Sequence, residues 1–128
     1  IKQNSSTRKV KTNIRDLSFQ KEKVFQLRPV IYNLKPALGG EQEVGLIAEE
    51  VQEVLPELVV MGPAKQWKKD GSGLVDLDEK GMEIKDFSKM EPYSVFYDRL
   101  SVYLLAIVKE QEARINELEK KLEKLEKK

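Results

Sequence analysis

Neither cysteine nor histidine occurs anywhere in the chain. The first absence excludes disulfides, thiolate metal sites and a cysteine nucleophile. The second removes the commonest general base and the commonest zinc ligand. Covalent chemistry here must therefore run on Ser, Thr, Lys, Asp, Glu, Tyr or Arg, and no cofactor or metal is expected. Charge of one sign is also lacking. With 23 basic and 22 acidic residues the net charge is +1, so no long-range field selects nucleic acid or an anionic membrane. No apolar run approaches the ~20 residues of a membrane span. No signal-peptide pattern is present and the first residue is Ile rather than Met, which suggests a segment of a longer polypeptide.

What is there is one domain's worth of chain, 128 residues, with 40% hydrophobic and 35% charged residues. That balance fits a small globular part joined to a charged, exposed helix. Residues 1–13 are polar and basic and read as a loop or an edge strand. Ile14, Leu17, Val24 and Phe25, with Phe19 and Leu27 beside them, predict a helix from Ile14 to Leu27 that Pro29 ends. Val30 to Leu34 is β-branched and aromatic and reads as a strand, followed by a turn at Pro36 and Gly39-Gly40. Val44 to Ile47 leads into a short helix, Ala48 to Val54, closed by Pro56. Leu58 to Met61 reads as a second short strand. Residues 62–73 read as an exposed loop, and 74–84 as a hairpin around Asp78-Glu79-Lys80-Gly81. A helix then starts between Tyr93 and Asp98 and runs to the end.

That last helix carries the clearest pattern. Leu104, Val108, Gln111, Ile115, Leu118, Leu122 and Leu125 are spaced four, three, four, three, four, three. This is a heptad seam, with Val108, Ile115 and Leu122 at a, and Leu104, Gln111, Leu118 and Leu125 at d. Arg114 and Lys121 fall at g, and Glu119 and Glu126 at the e positions five residues on. In a parallel coiled coil that spacing pairs opposite charges between neighbouring chains. Beyond Glu112 only the seam residues and Ala113 are apolar, too narrow a face for a helix that packs solely on its own domain. The seam leaves the strand number open: Ile at a with Leu at d favours two strands, while Leu122 at a and Gln111 at d weaken that preference.

One cluster, Ser6-Thr7-Arg8-Lys9-Val10-Lys11, has chemical potential. Without histidine, a serine nucleophile needs another base, and a lysine amine serves once burial or nearby cations favour its neutral form. Arg8 and Lys9 supply neighbouring positive charge. A serine near a lysine in a basic stretch is ordinarily a solvated loop, so the surrounding sequence has to decide. In order, the chain reads S-x-x-x-x-K-x-N-I (Ser6, Lys11, Asn13, Ile14), then Leu27-Arg28-Pro29-Val30 with Tyr32. Val44-Gly45-Leu46-Ile47-Ala48-Glu49-Glu50-Val51 and Leu55-Pro56-Glu57-Leu58-Val59 follow. Val95-Phe96-Tyr97-Asp98-Arg99-Leu100 then runs into the heptads. This resembles the C-terminal intramolecular chaperone domain of phage tailspikes, tail fibres and neck appendages, the peptidase S74 type, over nearly the whole chain.

The resemblance implies an α+β fold, a small globular head of short helices and β-hairpins followed by a long helix in a parallel trimeric coiled coil. It divides the chain into an auto-cleavage segment (1–13), a globular part (14–95) and a coiled-coil helix (96–128). Such domains trimerise, bring the preceding fibre or spike chains into register during virion assembly in the host cytoplasm, and cut themselves off before a serine. The partners are then two further copies and the upstream region of the same polypeptide, with no nucleic acid and no membrane. By position, Ser6 is the nucleophile, Lys11 its general base, and Ser5–Ser6 the cut bond. Ser5 is also a candidate nucleophile by adjacency, and Lys9 a candidate base. The family's serine is usually followed by Asp, and Thr7 stands there. A non-cleaving trimerisation domain and a coiled-coil adaptor are the alternative readings. Of the paired carboxylates, Glu49 reads as solvated and Glu50 as a structural hydrogen-bonding group. Tyr97 reads as a packing residue, Asp98 as a helix cap, and Trp67 as partly packed. Gly71-Ser72-Gly73 does not form a phosphate-binding loop.

Overall fold

The computed structural model describes residues 6–64 and 86–127, with the backbone alone for Asp86 and Phe87. The expected hairpin at 74–84, Trp67, the Gly71-Ser72-Gly73 segment and Ser5 lie outside the described residues. The chain is α+β: two small antiparallel hairpins and short helices precede one long helix.

The segment expected to be helical from Ile14 to Leu27 contains only one helical turn, α1 (Lys21–Val24). Asn13 takes a positive φ of 53°, and Gln20 is extended. Ile14 and Leu17 are exposed rather than lining a buried face. The apolar spacing breaks between Leu17 and Val24, so no continuous stripe is available to fold a helix around. Phe19 is drawn instead to the ring of Tyr103, 4.7 Å between centroids, and Val24 enters the core.

β1 (Val30–Asn33) pairs antiparallel with β2 (Gln42–Gly45), Val30 opposite Gly45 and Asn33 opposite Gln42. A 3₁₀ turn at Pro36–Leu38 and the left-handed Gly39 and Gly40, φ 109° and 70°, reverse the chain between them. β2 is a strand where the sequence suggested only an approach to a helix. α2 (Ala48–Val54) matches the expected helix, and a 3₁₀ turn at Pro56–Leu58 follows it. β3 (Val59–Ala64) extends three residues into the expected loop and pairs with β4 (Asp86–Val95). β4 was not expected. Its polar, proline-containing sequence lacks strand alternation, and its place depends on pairing with β3 and on Val95 entering the core opposite Val59.

α3 runs from Tyr97 to Glu126. Phe96, not Asp98, is its N-cap residue, and no side chain caps the helix. Asp98 sits in the first turn, where its charge complements the helix dipole. Val51, Leu55 and Leu58 form the centre of the core, with Val24, Val59, Val95 and Ile107 around them. Leu100 and Tyr103 pack against the same cluster. Leu100, Tyr103 and Ile107 recur every three to four residues, so one edge of α3 belongs to the head. Glu110, one turn further, forms an ion pair with Lys21 of α1. The seam residues occupy an adjacent face. The six aliphatic ones, from Leu104 to Leu125, remain 45% to 65% exposed in the single chain. Among the described residues, no helix is long and apolar enough to cross a membrane.

Candidate active site

Residues 6–11 fold back on themselves through a 3₁₀ turn at Arg8–Val10. Thr7 is its N-cap: the Thr7 Oγ1 accepts from the Lys9 amide at 3.4 Å, and the Thr7 carbonyl accepts from the Val10 amide at 3.2 Å. The Lys11 amide donates to the Arg8 carbonyl at 3.2 Å, which closes the turn before the chain extends again. The reversal brings the side chains at positions 6 and 11 together, and Lys11 Nζ donates to Ser6 Oγ at 2.7 Å. Two residues on, Asn13 adopts the left-handed conformation, which asparagine tolerates better than most residues. Its carbonyl accepts from Arg15 at 3.3 Å. The asparagine in the Ser-Lys-Asn pattern therefore has a conformational reason to be there.

Ser6 and Lys11 are both exposed in the single chain. Lys11, not Lys9, contacts Ser6. The contact has the geometry of a nucleophile and a base within hydrogen-bonding reach. Lys11 Nζ is the donor in this contact; for catalysis the proton must lie the other way, with the amine accepting from Oγ.

The other motif blocks are joined to one another rather than to this pair. Arg28 grips Glu50 with two hydrogen bonds, Nε to Oε1 at 3.1 Å and Nη2 to Oε2 at 2.6 Å, tying the segment before β1 to α2. The guanidinium holds the Glu50 carboxyl below the usual carboxylate range, and the carboxylate raises Arg28 in turn. Glu49 faces solvent while Glu50 is half-buried, the division of roles that the sequence suggested. Tyr97 Oη accepts from the Leu46 amide at 3.0 Å. A Cβ on Gly45 would lie 2.8 Å from that hydroxyl, so glycine is what admits the tyrosine. Arg99 donates to the Glu57 carbonyl at 3.2 Å while its guanidinium lies 3.8 Å from the Phe96 ring centroid. Tyr103, raised above the usual phenol range first by burial and then by Glu57, closes the same corner. These cross-links tie the motif blocks of this chain to one another, and sequence reading alone did not identify Arg28, Arg99 or Gly45 as their joints.

Among the described residues no cluster of acidic groups is arranged to hold a metal ion. No curated protein matches the chain. Residues 6–60, which begin at Ser6 and include the Lys11 contact, the first hairpin, α2 and the start of β3, match the family model of the peptidase S74 chaperone of endosialidase.

Proposed function

We propose that this chain is a C-terminal intramolecular chaperone. It trimerises through α3, sets upstream fibre, spike or appendage chains in register during virion assembly, and then releases itself by cutting its own backbone between Ser5 and Ser6. The observation that carries this reading is the 2.7 Å contact between Ser6 and Lys11 at the start of the family-matched segment.

The neutral Lys11 amine takes the proton from Ser6 Oγ as the oxygen attacks the Ser5 carbonyl carbon. The bond from that carbon to the Ser6 nitrogen breaks, Lys11 returns the proton to the leaving nitrogen, and the acyl group rests as an ester on Oγ. Water then hydrolyses the ester, leaving a carboxylate on Ser5 and a free amine and hydroxyl on Ser6. A charged Lys11 cannot begin this sequence. Assembly that orders the chain around this exposed pair would couple cutting to trimerisation.

The test is expression of the chain behind its natural upstream region, with mass spectrometry of the products. Cleavage should release a fragment beginning at Ser6. Ser6→Ala and Lys11→Ala should each leave full-length trimer, and Lys9→Ala should still cut. A fragment with a different first residue, or undiminished cleavage in Lys11→Ala, overturns the pair. Trimers that never cut would support the non-cleaving alternative.

A further inference from the structure

The head leaves an apolar hollow beside the start of α3. Pro29, Val30, Ile31, Val44, Leu46 and Leu100 line it, and Ile31 and Val44 are 63% and 77% exposed. On the far side of the seam, α3 carries two more exposed apolar side chains, Val102 and Leu105, the latter 59% exposed. Among the described residues nothing covers either surface.

The heptad relates them. Continuing the seam toward the N-terminus puts Leu100 and Ile107 at g, on the edge that the head covers, and Leu105 at e and Val102 at b, on the opposite edge. In a parallel coiled coil, g of one chain meets e of the next, five residues on. The same spacing that matches Arg114 with Glu119, and Lys121 with Glu126, matches Leu100 with Leu105. Within the single chain, Arg114 and Lys121 both turn to Glu117, at 3.2 Å and 3.3 Å, while Glu119 and Glu126 make no ion pair among the described residues. Charge complementarity therefore favours a second copy in this register, and the register delivers a leucine to the hollow.

We infer that Leu105 of one copy, flanked by Val102, inserts into the hollow on the next copy's head, so that each β1–β2 hairpin grips the neighbouring helix. This rests on the parallel assembly proposed above. It makes the head a part of the interface, not a passenger on the coiled coil. Filling an apolar site with leucine is worth enough that Leu105→Asp should weaken assembly on the order of tenfold or more.

The chain has no native cysteine, so paired cysteines can report the contact directly. Oxidised Val44→Cys/Leu105→Cys protein should run as covalent dimers and trimers on a denaturing gel. Leu125→Cys, at a seam d position, serves as the independent probe of parallel assembly. If Leu125→Cys forms covalent dimers while the double variant stays a single-chain band, the seam stands and the hairpin contact is wrong. Unchanged assembly in Leu105→Asp would also overturn it. If the wild type sediments as a monomer and neither variant cross-links, the parallel assembly fails and this contact with it.

Discussion

Thr7 caps the turn beside Ser6, a role that the aspartate of the resembled pattern would also fill. Both residues are good N-caps, and Thr7 uses its hydroxyl to cap the turn that returns Lys11 to Ser6. Thr7→Ala removes the cap, at a cost of about 1 kcal/mol to the turn. Self-cleavage of the precursor should slow severalfold while assembly is unchanged, and Thr7→Asp should restore the rate. Equal rates in all three would mean that the turn is held by something else. Glu50 gives a second test at this scale. Its carboxyl lies below the ordinary range, mainly through its hydrogen bond to Arg28. The pair's contribution is therefore complete above the unfolded carboxylate value, ~4.3, and is lost as pH falls through the lower folded value. Both groups reach solvent, so the effect is modest. Acid unfolding of Glu50→Gln should show less dependence on pH in that window than the wild type.

At the scale of elements, legibility followed local patterning. α2 and α3 were readable because apolar residues recur at helical spacing, and β1 because its residues are β-branched and aromatic. β2 and β4 were not. Gln42–Gly45 is a strand because Gly39 and Gly40 turn it back onto β1, and Asp86–Val95 because β3 needs a partner. Tertiary pairing decides both. The stretch from Ile14 to Gln20 misled in the other direction, since its apolar residues serve distant partners such as Tyr103. The Ser6–Lys11 pairing was legible only through the family pattern, because a five-residue spacing on a loop predicts no contact until the capped turn is seen. Two roles on α3 could have been separated earlier: Leu100, Tyr103 and Ile107 repeat beside the seam, a second stripe that signals a head packed along one edge.

The whole molecule is a small head with a modest core and a long helix whose seam is open in one chain. Val51, Leu55 and Leu58 hold the head together, but from Gln111 onward α3 runs past the core, and among the described residues nothing covers the seam residues there. An isolated charged helix of this kind is marginal in water, and the proposed assembly would supply the stability it lacks. Leu118→Asp tests that dependence. A buried charge costs several kcal/mol unless paired, and in a trimer three would enter one layer. The head should still fold, since Leu118 lies two turns beyond Glu110, where Lys21 of α1 reaches α3, yet sedimentation should find monomer where the wild type assembles. If assembly also sets the upstream chains in register and orders the segment that holds Ser6 and Lys11, two further losses accompany it. The upstream fibre should become largely insoluble, and the precursor should remain uncut although Ser6 and Lys11 are intact. Soluble native fibre from Leu118→Asp would remove the chaperone role, whereas normal cutting by monomers would separate the peptidase from assembly.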